Sequence, residues 1–302
     1  MHVHIKNKTD IRESAFIFRI LPRFLKTYAR LARWDRPAGV ALLCLPCLWG
    51  VTLADLDTFH WREVFLFILG SFLMRGAGCT YNDMVDRKID RQVERTSTRP
   101  LARGDLKLFQ ATVFLVLQLL LSVIVLYQLT PGSIALGYVV IFLVLLYPWA
   151  KRFTYWPQLI LGMTFNWGVL IAWASVNDRL KLSTFLMYFA GIAWTLSYDT
   201  IYAHQDKESD AMIGVKSTAL RFGTKTKPYL AFFYFCFVFL TGMAGYIENL
   251  KSGFYATLVL VVFFSIWIFK EVDLDDPQDC LKKFKLNAYL GLLVYLGLLF
   301  GR

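Results

Sequence analysis

Residues 111–130 read ATVFLVLQLLLSVIVLYQLT, and this stretch decides the class of the fold. It carries no charge along its length, and about 20 apolar residues are what an α-helix needs to cross the hydrocarbon core of a bilayer. The run from Leu230 to Ile247 is built the same way. Across the chain 57% of residues are hydrophobic and 18% charged, more apolar than the roughly 45–50% of soluble domains. In lipid each backbone group must be satisfied within its own element or a closed barrel, and uncharged runs this long are helical.

Outward from residues 111–130, approximately nine spans are expected, at 37–55, 62–83, 108–129, 132–150, 157–176, 182–204, 228–247, 253–270 and 284–300. They form one all-α membrane domain over 37–302, preceded by a basic segment, 1–36. Thr130-Pro131-Gly132 is a tight turn that makes its two flanking spans antiparallel neighbours. Residues 1–15 are polar and lead into no uncharged apolar core, so they are not a secretory signal. Residues 16–31 mix Phe, Ile and Leu with Arg19, Arg23, Lys26 and Arg30, the pattern of an amphipathic helix on an anionic surface. Organelle targeting is the alternative for that segment.

The net charge of +11 would raise nucleic-acid binding in a soluble protein. Here it follows topology, and no nucleic-acid partner is expected. With the N-terminus inside, 27 Lys and Arg fall in inner segments, five in outer ones, and Arg75 within a span. That bias fixes the N-terminus in the cytoplasm. Five cysteines make no disulfide framework, and Cys44 and Cys47 are expected to pack.

Against this apolar background stand two carboxylate clusters. The first is Asn82-Asp83-Met84-Val85-Asp86-Arg87-Lys88-Ile89-Asp90; the second runs from Asp199 through Tyr202 and Asp206 to Asp210. Acids near hydrocarbon are costly and point to function. Both clusters lie at the inner ends of spans that run outside to inside. On a continuous helix Asp83, Asp86 and Asp90 fall within about 60°, and Asp199, Asp206 and Asp210 within about 40°. A solvated helix end would instead interleave basic residues at i+4. A shift of 120 residues lays Asp86 on Asp206, Asp90 on Asp210, Arg87 on Lys207, Ser97 on Ser217 and Thr98 on Thr218, the trace of an internal repeat.

Carboxylate oxygens suit a hard cation such as Mg²⁺, which also bridges to phosphate. Asp83 and Asp90 lie about 10 Å apart along a helix axis, so a pair of ions is expected rather than one shared ion. Arg95, Arg99, Lys151, Arg152, Lys216 and Arg221 lie close by in sequence; simple inside-positive topology accounts for them equally well. An inner mouth of Mg²⁺ and cations beneath an apolar helical chamber fits a substrate with a diphosphate head and a long apolar tail. Departure of diphosphate would leave an allylic cation, shielded by aromatic walls.

These motifs resemble the UbiA-type family of membrane aromatic prenyltransferases. NDxxDxxxD matches Asn82 to Asp90, and DxxYAxxDxxxD matches Asp199, Tyr202, Ala203, Asp206 and Asp210. Residues 34–39 resemble the family's entry to its first span, and 74–79, 95–101, 147–148, 151–154, 157–158 and 214–223 resemble the branch that acts on 4-hydroxybenzoate. The resemblance implies a bundle of nine transmembrane helices with its active site at the cytoplasmic end of the chamber. It also implies Mg²⁺-dependent transfer of a polyprenyl chain from polyprenyl diphosphate to 4-hydroxybenzoate, ortho to the hydroxyl, in ubiquinone biosynthesis. Asn82, Asp83, Asp86, Asp90, Asp206 and Asp210 would bind the metal. Lys151 and Arg152 would grip diphosphate, with Arg95, Arg99 and Lys216 as further candidates. Asp199 would position the acceptor or take its proton, with Tyr202 and Arg152 beside it in catalysis. Arg36 and Arg75 are candidates for the acceptor carboxylate, Arg75 rather as an ion-pair partner. One departure is Ser209, where many members carry an acid. His204 stands at an often apolar position and has no sequence-level account.

The same fold with dihydroxynaphthoate, homogentisate or haem as acceptor stays open on spacing alone. A carboxylate-lined ion transporter is the alternative of a different class; it would carry polar groups deeper in its spans. The bilayer expected is a bacterial inner membrane, with the mitochondrial inner membrane as the alternative.

Overall fold

The computed structural model describes residues 15–302, and among them all regular structure is helical. The helices are α1 (Ile17–Ile20), α2 (Arg23–Leu31), α3 (Pro37–Ala54), α4 (Trp61–Asp90), α5 (Pro100–Arg103), α6 (Leu108–Leu126) and α7 (Pro131–Phe153). They continue as α8 (Pro157–Ala174), α9 (Leu182–Ala203), α10 (Lys207–Ile213), α11 (Thr218–Phe222), α12 (Thr226–Ile247), α13 (Ser252–Glu271) and α14 (Pro277–Phe300). Residues 1–14 of the expected basic segment lie outside the described residues.

By length and composition, seven described stretches can cross a membrane: 37–54, 61–90, 108–126, 131–153, 218–247, 252–271 and 277–300. The expected spans at 157–176 and 182–204 correspond to α8 and α9. Gln158 and Asn166 in α8, and several Ser, Thr and Tyr in α9, lower their hydropathy, and most of their residues are buried.

The chain divides into two compact units. One holds the residues up to Pro37 together with Phe72–Val123. Here α1 and α2 turn Phe16, Ile20 and Phe24 outward, 73%, 62% and 71% exposed, while Ala29 and Leu31 are buried. Leu21 and Pro22 are extended between α1 and α2, so the single amphipathic helix expected over 16–31 is broken into two, each with apolar side chains turned outward. Leu31, Leu101, Leu106 and Ala111 form the core, with Tyr28 and Phe114 packed against it. Gln118, the polar residue inside the uncharged run, faces Thr80, whose hydroxyl lies 3.2 Å from Gln118 Oε1. Gly76 makes room there, since a Cβ on it would fall onto Gln118 Nε2.

The other unit holds Ala38–Ser71 and Ile124–Arg302. Its helices start on strong stop-and-start chemistry. Thr130 Oγ1 accepts from Ser133 N–H at the head of α7, Asp276 caps α14, and Pro stands at N1 of α7, α8 and α14. The turn at 130–132 brings Tyr127 OH within 2.7 Å of Tyr138 OH, as antiparallel neighbours require. The core runs through Trp49, Trp173, Trp194, Tyr198, Tyr234, Phe237 and Phe254. α8 and α9 approach closely at Gly162 and Gly191, where a Cβ on Gly191 would fall onto Asn166 Oδ1. Small residues at such a contact are how helices pack without a hydrophobic driving force. All five cysteines are free thiols, and Cys44 and Cys47 pack in buried positions as expected.

Candidate active site

In the first unit, α4 continues past the expected inner boundary at residue 83 and ends at Asp90, so the whole first cluster is helical. Its phase is the one expected: Asp83, Asp86 and Asp90 are buried at 1%, 0% and 4% exposure, whereas Lys88 is exposed. Asn82 is half-buried beside them. Buried carboxylates need cations. Arg33 Nη2 donates to Asp83 Oδ1 at 2.6 Å. Arg99 Nη1 donates to both oxygens of Asp90, at 3.0 and 2.9 Å, and lies 3.3 Å from Asp83 Oδ1.

That last contact adds to the expected axial spacing, which the continuous helix keeps. Asp83 and Asp90 are two turns apart on one face, and their side chains converge although their backbones are separated along the axis. A single nitrogen reaches both. Arg33 was not among the sequence candidates. It directly follows α2 and holds a left-handed backbone, φ 57°. Arg95 is half-buried in the loop before α5. Arg36 Nε donates to its neighbour Asp35, which is buried. Arg75 lies half-buried two turns before the cluster on α4.

In the second unit the expected single helix through Asp199–Asp210 does not hold. α9 ends at Ala203, a 3₁₀ turn spans His204–Asp206, and α10 starts at Lys207. The phase computed for Asp199, Asp206 and Asp210 therefore does not apply across the break. His204 explains why the chain tightens here. Its ring is buried, and Nε2 lies 3.1 Å from Thr226 Oγ1, which itself donates to Gly223 O at 2.8 Å. With that hydroxyl proton committed, Nε2–H is the donor to Thr226. Burial, reinforced by Lys207, pushes the His204 pKa down to about 4. Asp199, Tyr202, Asp206 and Asp210 are all half-buried, and Glu208 is exposed, as a surface charge should be. Tyr202 packs on Phe284 at 4.6 Å between ring centroids; Phe284 also contacts Tyr198, whose ring meets Trp194. An aromatic row thus leads along α9 from the core to the second cluster.

The backbone ties basic stretches of this unit to the second cluster. Val215 N–H bonds to Asp210 O at 2.9 Å, and Lys216 N–H bonds to Lys151 O at 2.9 Å. Successive residues of one loop thus tie the end of α7, with Lys151 and Arg152, to the second carboxylate helix. Lys216 Nζ donates to Phe153 O, and the Arg152 guanidinium lies 4.3 Å from the centroid of the Trp149 ring. Gln158 Oε1 accepts from Thr218 N–H at 3.1 Å, and Thr200 and Thr218 hydroxyls meet at 2.7 Å. Gln158 and Thr200, neither singled out as site residues, therefore hold the 214–223 loop.

Residues 43–292 match the model of the UbiA prenyltransferase family. The chain belongs to that family. It is accordingly an enzyme of the prenyltransferase class and an integral membrane protein. It is 47% identical to the mitochondrial 4-hydroxybenzoate polyprenyltransferase of Homo sapiens over 283 residues, covering 93% of this chain and 76% of that protein. The Arabidopsis thaliana protein of the same name is 43% identical over 305 residues, covering 98% and 74%. Among solved structures, the apo UbiA homologue of Aeropyrum pernix K1 superposes with TM-score 0.74 at 23% identity, over 85% of this chain and 96% of that one. A UbiA homologue of Archaeoglobus fulgidus bound to GPP and Mg²⁺ gives 0.67 at 17% identity, over 90% and 99%. At such identities these two show a shared fold.

Among the described residues no three His, Cys, Asp or Glu side chains converge into a ready-made metal cage. The donor set still fits a hard divalent ion. Mg²⁺ usually takes one or two carboxylates, keeps several waters and binds substrate phosphate, and each unit supplies two or more carboxylates on or beside a helix.

Proposed function

We propose that the chain is a Mg²⁺-dependent 4-hydroxybenzoate polyprenyltransferase of ubiquinone biosynthesis. The observation that carries the reading is 43–47% identity, over more than nine-tenths of this chain, to proteins of that name. The proposed architecture is a basic interfacial segment, 1–36, followed by one membrane domain, 37–302. That domain has nine spans, with α8 and α9 completing the seven of high hydropathy, and its site opens at the cytoplasmic end of an apolar chamber. The host bilayer is the inner membrane of a bacterium or a mitochondrion.

Asn82, Asp86 and Asp90 in one unit, and Asp206 and Asp210 in the other, are the proposed metal ligands. Asp83 shares the α4 face of Asp86 and Asp90, and two arginines donate to it. When bound, Mg²⁺ neutralises the diphosphate and makes it a better leaving group. Lys151, Arg152 and Lys216, joined by the loop bonds of the second unit, grip the diphosphate, with Arg95 assisting. The C1–O bond of the donor breaks, and the allylic carbon joins the ring carbon ortho to the acceptor hydroxyl. The ring proton lost in that step goes to Asp199. Tyr202, held on Phe284, presents an aromatic face that favours the allylic cation. Arg36 is the candidate for the acceptor carboxylate; Arg75, within α4, serves as an ion-pair partner.

The test offers membranes containing the chain a polyprenyl diphosphate and labelled 4-hydroxybenzoate, alone and against dihydroxynaphthoate and homogentisate. Prenylated 4-hydroxybenzoate, abolished by EDTA and restored by Mg²⁺, is expected. Preferential labelling of another acceptor would reassign the substrate, and EDTA-insensitive turnover would reject the metal.

A further inference from the structure

We propose that Arg99 is an internal counter-ion: it holds Asp90 in the resting chain, yields it to the incoming divalent cation and moves onto Asp83. Asp83 is then a positioning residue rather than a metal ligand. The proposal rests on the reading of Asp90 as a metal ligand.

Three carboxylates lie buried on one face of α4. Unscreened, their like charges would repel one another. Arg99, itself 9% exposed, supplies positive charge from the loop before α5. Its Nη1 sits between the two oxygens of Asp90, at 3.0 and 2.9 Å. A metal ion and this nitrogen compete for the same lone pairs. The same nitrogen already lies 3.3 Å from Asp83 Oδ1. A terminal guanidinium nitrogen carries two hydrogens, so Nη1 can strengthen its bond to Asp83 as it releases Asp90, without leaving the pocket.

Asp83 is built for that role. Its Oδ1 also accepts from Arg33 Nη2 at 2.6 Å, so both guanidinium groups converge on one oxygen. Arg33 reaches it from a left-handed backbone conformation, φ 57°, which residues with side chains adopt at a cost. The fold accepts that strain where it fixes a cation on Asp83.

The test measures divalent-ion affinity of the full chain in nanodiscs without prenyl donor, counting free Mn²⁺ by its solution EPR signal. Arg99→Gln removes the competitor and is expected to tighten Mn²⁺ about tenfold, the scale of one charge-assisted hydrogen bond. Asp83→Asn removes the retreat and is expected to weaken it. The double variant should match Arg99→Gln alone, because without Arg99 there is no competitor for Asp83 to draw away from Asp90. Arg99→Lys, which keeps the charge but loses the planar fork, should tighten Mn²⁺ by less and covers the case in which the glutamine variant does not fold. Unchanged or weaker affinity in both Arg99 variants would overturn the exchange. A double variant as weak as Asp83→Asn would make Asp83 a ligand. Asp90→Asn is the separate control: full Mn²⁺ binding there would refute the metal reading itself.

Discussion

Gln158 touches none of the groups proposed to do chemistry, yet its loss should be felt at the diphosphate. Its side chain is 5% exposed, and its Oε1 accepts from the Thr218 backbone N–H at 3.1 Å. Thr218 opens α11, where an N–H has no partner within the helix. Gln158→Met keeps the approximate volume and deletes the acceptor. Leaving a buried N–H unsatisfied costs about 1–3 kcal/mol. The loop from Gly214 to Gly223 relieves this by loosening, and Lys216 loosens with it. Every 1.4 kcal/mol is tenfold in an equilibrium, so the apparent KM for polyprenyl diphosphate should rise by about tenfold. The KM for the aromatic acceptor should change little, because the loop is assigned to the donor. Gln158→Glu retains an acceptor oxygen and should restore most of the donor affinity. The assay is initial-rate prenyl transfer at saturating acceptor, paired with hydrogen exchange over residues 214–223. An unchanged donor KM together with faster exchange would refute the link from loop to diphosphate. Unchanged exchange would refute the hydrogen bond as the loop's anchor.

Asp86→Asn or Asp206→Asn should abolish prenyl transfer while membrane insertion, read by fractionation, is retained; normal turnover in either removes that residue from the metal set. Arg152→Ala should raise the donor KM by about tenfold, the value of a charge-assisted contact to phosphate, and an unchanged KM would leave the guanidinium as a cation–π partner of Trp149 alone. Gly191→Ala places a Cβ on Asn166 Oδ1 and displaces the side chain that donates to Thr195. The overpacking and the lost bond should destabilise the chain by about 2–4 kcal/mol, seen as a lower thermal midpoint in micelles, whereas an unchanged midpoint would mean that α8 and α9 separate freely.

What the sequence made legible was set by local period. Uncharged runs and the turn at Thr130 mark the helices, but the last span was expected from 284 although α14 starts at Pro277 behind its Asp276 cap, because that first stretch is charged. The phase of Asp83, Asp86 and Asp90 was legible for the same reason, because α4 is continuous through them. The second cluster was misread because nothing between Tyr202 and Lys207 is a Gly or Pro. The tightening at His204 comes from Thr226, 22 positions away. The one signal was His204 itself, a polar ring where an apolar residue was expected.

The arginine contacts were hidden by a different ambiguity. Inside-positive topology predicts basic residues at 87–107 whether or not they touch the carboxylates, so the resemblance marked Arg99 for diphosphate and nothing marked it for Asp90. Arg33 carried less, since it meets Asp83 across 50 residues from an unusual backbone angle. These contacts also show how the two carboxylate clusters differ. In each unit a carboxylate helix leads through a basic loop to a short helix, α5 or α11, closed by a glycine at positive φ, Gly104 or Gly223. The first cluster buries its acids at 4% exposure or less, beneath two arginines; the second leaves Asp206 and Asp210 half-buried. Equal motifs have therefore settled in unequal dielectric surroundings. A neutral asparagine costs more stability at Asp90, where it breaks the buried ion pair with Arg99, than at Asp210, where water still reaches the side chain.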